Sequence, residues 1–232
     1  LIAVEFAGTV GMGAQRWIDL KFFQLQPSEL MKIALVLSLA RYFHRLSLED
    51  VTRPTRLLFP ILLVAAPMAL VLRQPDLGTS LLLLIGSAAI FFLAGVRIWK
   101  FILIGLISLA SIPVGWSMLH NYQKNRIMTF LSPESDPLGS GYHILQSKIA
   151  LGSGGVFGKG FLQGTQSHLR FLPEMQTDFI FTMYAEEFGL VGGLFLIALY
   201  AAIMIYGFAI AMRSRSHFGR LVAMGVITTF FL

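Results

Sequence analysis

Residues Gly139 to Phe181 read GSGYHILQSKIALGSGGVFGKGFLQGTQSHLRFLPEMQTDFIF. This run forms most of a longer polar segment, Asn121 to Asp178, and it is rich in Gly, Gln, Ser and titratable groups. On both sides the chain turns into long apolar runs. A greasy chain with one long, chemically varied loop points to chemistry at the loop's membrane edge. The fold class follows from that contrast.

Composition agrees. Of 232 residues, 56% are hydrophobic and 13% charged, and the mean hydropathy is +0.73. Soluble domains carry about 25% charged residues, so charge is depleted about twofold. Several apolar runs are long enough to cross a bilayer. The expected class is an all-α polytopic membrane protein. No cysteine is present, which excludes a disulfide framework and a thiolate metal site. The formal charge of +6 does not indicate nucleic acid, because the basic residues flank the apolar runs.

Working outward, Leu1 to Val10 reads as the end of a span, and Gly11 to Gln26 as an interfacial loop anchored by Trp17. A helix is expected from Pro27, suited to a first helical position, to about Phe43. A basic connection, Val51 to Arg56, leads to spans at Leu57–Leu72, Ser80–Ala94 and Phe101–Leu119, the last kinked at Pro113. Beyond the polar loop, Phe179 to Met212 is one apolar run, and a last span begins near Leu221. That makes about five crossings and fragments of two more. The chain opens inside one helix and stops inside another, so it reads as a single transmembrane domain lacking N- and C-terminal helices, with residues 121–178 as its large extracytoplasmic loop. Arg41, Arg45, Arg53, Arg56, Arg97, Lys100, Arg213, Arg215 and Arg220 fall on one side of the alternation. Arg16, Lys21 and Arg73 fall on the other. The positive-inside rule makes the first side cytoplasmic and puts the long loop outside.

Ionisable groups in or near spans are functional candidates. Glu29 and Lys32 are three apart on one helix and can pair, either as a structural ion pair or at a cavity. Arg73 and Asp76 flank a turn. Glu186 and Glu187 are adjacent, so at most one easily faces a cavity. Asp178 ends the loop and begins a span: it is either an N-cap or a general base, since the helix dipole favours an anion there. The Gly152–Gly164 run lacks the phosphate-loop pattern and reads as a flexible re-entrant or surface loop. The five histidines have no ligand spacing, so no metal ligands are assigned.

Several motifs, in order, resemble one family. They are GAQRWI (Gly13–Ile18), QPSELMK (Gln26–Lys32), QPDLGT (Gln74–Thr79), YQKNR (Tyr122–Arg126), the Gly139–Gln166 block, LPEMQTDFIF and AEEFG. Together they resemble the SEDS family of bacterial cell-wall glycosyltransferases, and the elongation branch (RodA) more than the division branch (FtsW). The resemblance implies a bundle of about ten transmembrane helices in the bacterial cytoplasmic (inner) membrane, with the active site facing outward. It implies polymerisation of lipid II onto a polyprenyl-pyrophosphate glycan chain, beside a class B penicillin-binding protein and other elongation-complex membrane proteins. The T-D-F-I-F aspartate corresponds to Asp178, the Q-P-S-E glutamate and following lysine to Glu29 and Lys32, and the Q-P-D-L-G-T aspartate to Asp76. Gln146, Ser147, Lys148 and Glu174 lie in matched motifs and are expected to support the site. Some relatives carry an acid before F-L-P-E; this chain has Arg170, so no catalytic acid is carried to that position.

The implied reaction turns an α-linked donor into a β-1,4 product, an inversion for which one carboxylate base suffices. Asp178 is the expected base. Arg16, Lys148, Lys159 and the Gly-rich N–H groups are candidates to neutralise the departing pyrophosphate. No cofactor is required, and a divalent cation (Mg2+ or Mn2+) is compatible with the chemistry. Two other readings use the same features: a lipid II flippase, and a non-catalytic scaffold for a transpeptidase.

Overall fold

The computed structural model describes residues 1–11, 14–19, 21, 24–74, 76–119, 124, 128, 132, 140–165 and 177–232. Packing divides the chain into two units, 1–104 with 203–232, and 105–202.

The first unit opens with α1 (Ile2–Ala7) and a small antiparallel meander, β1 (Thr9–Gly11), β2 (Ala14–Asp19) and β3 (Gln24–Leu25). The segment expected as an interfacial loop, Gly11–Gln26, thus carries short strands. Thr9 pairs with Trp17 and Ile18 with Leu25, so the strands take up backbone groups that a loop at headgroup depth would leave open. Lys21, at φ 68, turns the chain between β2 and β3, and its N–H donates to Asp19 Oδ1 at 2.7 Å.

α2 (Pro27–His44) starts with proline at its first position, as expected. α3 (Leu48–Val51) is a single capped turn in which Ser47 Oγ accepts from Asp50 N. α4 (Pro54–Arg73) begins earlier than hydropathy alone indicates, because Pro54 initiates the helix rather than interrupting a loop. α5 (Leu77–Leu93) also begins earlier, at the turn after the N-cap Asp76. α2 packs on α4, α5 and α9 (His217–Phe231), whose cap is Ser216. Leu39, Phe43, Val71, Ile90 and Leu221 form the buried centre. Gly225 permits the α2–α9 contact: a Cβ there would meet Val36 Cγ1 at 2.6 Å.

α6 (Ile98–Met118) runs from the first unit into the second with Pro113 inside it. The second unit also holds α7 (Ser140–Ser153) and the first part of α8 (Ile180–Arg213). Among the described residues, α4, α6 and α8 are long and apolar enough to cross a membrane, and α5 and α9 are shorter apolar helices. α2 carries Glu29, Lys32 and Arg41 within its 18 residues, and α5 has 17, the short end of the spanning range. The chain is an integral membrane protein. α8 is not the uninterrupted run that its composition suggests: Gly189 sits at φ 67, ψ −166, outside helical space.

Candidate functional site

The expected site residues fall in two groups, one in each unit.

In the first unit, β2 delivers Arg16 to the start of α5. Arg16 Nε lies 3.7 Å from Asp76 Oδ2 and donates to Gln74 O at 3.5 Å. Asp76 is buried and caps α5: Oδ1 accepts from Thr79 N at 3.1 Å and Oδ2 from Thr79 Oγ1 at 2.8 Å. The turn is therefore a helix cap with a charge partner. The partner is Arg16 rather than the neighbouring Arg73. Gln74, also buried, donates from Nε2 to Leu1 O at 3.5 Å. Gln74 and Thr79 carry structural roles that the motif by itself does not assign them. The available signal is the Asx-cap spacing, with a hydroxyl three residues after Asp76.

Glu29 and Lys32 pair at 2.7 Å across one turn of α2, with the lysine 18% exposed and the glutamate 54%. Lys32 also lines a cavity of about 60 Å³ between α2, α5 and α9, with Val36, Leu83, Ser87, Ile90 and Thr229.

In the second unit, Gln146, Ser147 and Lys148 stand in sequence on α7. Ser147 Oγ meets Thr182 Oγ1 at 2.8 Å, tying α7 to α8. Gln146 is half-buried and Lys148 is exposed. Asp178 lies exposed in the turn 177–179, with Ile180 starting the helix, so it stands one residue outside the position that precedes the helix. Glu174, Arg170, His168, Glu134 and Asp136 lie outside the described residues, as does YQKNR apart from Lys124.

The structure adds a residue that the sequence leaves undecided. Glu186 is fully buried, and its Oε1 accepts from Lys159 Nζ at 2.7 Å, Thr165 N at 2.9 Å, Thr165 Oγ1 at 2.9 Å and Ser153 Oγ at 3.5 Å. Lys159, a candidate for pyrophosphate, is instead engaged by this carboxylate. The glycine-rich run is docked onto α8. Lys159 N donates to Glu186 O and Gly160 N to Glu187 O, while Leu190 N and Val191 N donate to Gly155 O and Val156 O. An unbroken helix would join Leu190 N to Glu186 O and Val191 N to Glu187 O. The loop enters that break and bonds both halves of each opened pair. Among the described residues no three His, Cys, Asp or Glu side chains gather as a metal site.

Comparison with known proteins agrees over the full length. All of residues 1–232 match the cell cycle protein family that joins FtsW, RodA and SpoVE. The chain is 48% identical over 236 residues to the Escherichia coli (strain K12) protein named peptidoglycan glycosyltransferase MrdB, covering 100% of this chain and 62% of that one. It is 37% identical over 229 residues to stage V sporulation protein E of Bacillus subtilis (strain 168), covering 98% of this chain and 62% of that one. The chain thus spans about three fifths of these curated relatives. Among solved structures, a chain from a peptidoglycan synthase complex that coordinates polymerization and crosslinking superposes with TM-score 0.78 at 30% identity, covering 98% of this chain and 62% of that one. The crystal structure of Thermus thermophilus rod shape determining protein RodA gives TM-score 0.63 at 27% identity, covering 98% and 57%. A match over every residue, carried by the ordered motifs and a shared fold, makes the chain a member of the FtsW/RodA/SpoVE family, the SEDS proteins.

Proposed function

We propose that this chain is the larger part of a peptidoglycan glycosyltransferase that polymerises lipid II into β-1,4 glycan strands during cell elongation. The observation that carries the reading is the 48% identity, across the whole chain, to a protein named for that activity. Asp178 is the general base. It stands exposed at the polar end of an apolar helix, where a carboxylate meets both water and a lipid-anchored substrate. There it removes the proton from the acceptor GlcNAc 4-hydroxyl as that oxygen attacks C1 of the donor MurNAc. The C1–O bond to the polyprenyl pyrophosphate breaks on the opposite face, and the leaving group carries away the electron pair. The base faces outward from the cytoplasmic membrane, on the side opposite the basic loops.

The leaving pyrophosphate needs positive charge more than it needs a proton. Lys148, exposed on α7, is one source, and Lys159 and Arg16 are the other candidate side chains. A divalent cation is the other source, and polymerisation with and without chelator separates the two. The partner is a class B penicillin-binding protein, in keeping with a related structure that belongs to a peptidoglycan synthase complex.

The test is Asp178→Asn in the full-length protein with purified lipid II. Loss of an acting general base costs about 10²- to 10⁴-fold in rate, so glycan polymer should vanish while the protein stays folded in the membrane. Near-normal polymer would remove Asp178 from the mechanism. A second reading, lipid II transport, draws on the Glu29–Lys32 pair on α2. Movement of labelled lipid II into proteoliposomes without polymer would decide for it.

A further inference from the structure

From the docked glycine-rich segment we infer that residues 154–162 form a re-entrant hook whose tip inserts into the acyl region of the bilayer beside α8. The surface is specific to this segment. Val156, Phe157, Phe161 and Leu162 are 54%, 83%, 69% and 63% exposed. Four large apolar side chains within seven residues of a water-facing loop would be a liability. Against lipid they are in their own solvent.

Two observations point to lipid as the occupant. The first is backbone chemistry. Non-helical chain is tolerated at membrane depth only where its polar groups are satisfied by protein. Here Gly155 O, Val156 O, Lys159 N and Gly160 N all bond to the opened turn of α8, and Gly158 N donates to Gly154 O at 2.8 Å. The one charge on the hook, Lys159, is neutralised by Glu186. The docked backbone groups of the hook and its one charge are thereby taken up by protein.

The second is position. Leu190 to Met212 holds no charged residue over twenty-three positions, about 34 Å of helix at 1.5 Å per residue, which matches the roughly 30 Å hydrocarbon core. The hook is stapled at Glu186–Val191, the edge of that stretch. Its exposed apolar side chains continue those of Leu190, Val191, Leu194 and Phe195 on α8, and Phe161 sits 6.3 Å from the ring of Phe188. The lipid-facing surface of α8 therefore extends onto the hook.

The closest approaches require glycine. Gly158 has φ +80, and a Cβ there would run into Glu187 O; a Cβ on Gly189 would run into Gly158 N. The break in α8 and the hook are two halves of one device.

The test uses the full-length protein in liposomes with a nitroxide on Phe157→Cys as its single cysteine. Phe195→Cys on α8 and Glu49→Cys in the α2–α4 connection serve as references. Collision with apolar oxygen and with a water-soluble nickel chelate is measured at each site. The oxygen-to-chelate ratio at Phe157 should be several-fold above Glu49 and close to Phe195. A ratio close to that of Glu49 would put the tip in water and overturn the inference. Shielding from both probes would put it against protein, and would overturn it equally. Because the readout is independent of polymerisation, neither result depends on the activity proposed for Asp178.

Discussion

Glu186 Oε1 and Lys159 Nζ lie 2.7 Å apart, and the carboxylate is fully enclosed while the lysine keeps a quarter of its side chain exposed. Twenty-seven residues separate them. The pair closes the glycine-rich segment onto α8, and the two Thr165 bonds extend the closure to the threshold of the segment leading to Asp178. Removing one partner leaves the other's charge without its counter-ion. Glu186→Leu is expected to destabilise the protein by about 3–5 kcal/mol, read as a lowered thermal midpoint in detergent. Adding Lys159→Met should recover a large part of that loss, because the stranded charge goes with it. A double variant as unstable as the two single losses combined would mean that the pair is not the source of the cost.

The same closure separates two glycines that look alike in sequence. Gly152 lies in α7, where an added Cβ would have nothing within 4 Å, whereas a Cβ on Gly158 would strike Glu187 O from a backbone at φ +80. Gly152→Ala should stabilise by about 0.5–1 kcal/mol through helix entropy. Gly158→Ala should destabilise by more than that gain, because the strained backbone and the clash both oppose it. Limited proteolysis at Phe157 and Phe161 checks the contrast: cleavage should accelerate in the second variant alone.

Composition alone makes the membrane class legible, and Pro27 marks the start of α2 correctly. The hydropathy of Phe179–Met212, by contrast, hides the break at Gly189, because a helix interrupted for a single turn keeps its apolar composition. Adjacency shows that Glu186 and Glu187 cannot easily share a cavity. Which one is buried depends on the partner, and Lys159 reaches Glu186 from a segment whose fold local pattern does not encode. The β-meander escapes for a related reason: its strands are two to six residues long and their pairing is set by tertiary context. Asp178 and Asp76 stand out through motif resemblance. Their different settings, one exposed and one buried in a cap, are not readable from the residues around them.

Asp76 combines two functions that substitution can separate. Its side chain caps α5 through Thr79 N and also faces Arg16. Asp76→Ala removes both and should cost about 1–2 kcal/mol for the cap alone. Asp76→Asn keeps an oxygen for Thr79 N while removing the charge, so its loss should be smaller. Thermal melts of the two variants give the comparison. Equal losses would show that the Arg16 charge pair, rather than the cap, dominates at this site.

Glu29 and Lys32 allow activity and stability to be told apart. Their bond is short, but the glutamate is half in the open, and exposed pairs of this spacing contribute about 0.2–0.5 kcal/mol. Glu29→Gln should therefore leave the melting temperature nearly unchanged. Lys32 is the more enclosed partner and borders a cavity, so without Glu29 its charge has less to hold it in place. If that charge serves the proposed polymerisation, loss of one charge-assisted contact, about 1.5–3 kcal/mol, should slow it by about ten- to a hundredfold. The expected result for Glu29→Gln and Lys32→Met is thus an intact protein with polymer yield from lipid II reduced to that extent. An unchanged yield in both variants would reduce the pair to a structural salt bridge on α2.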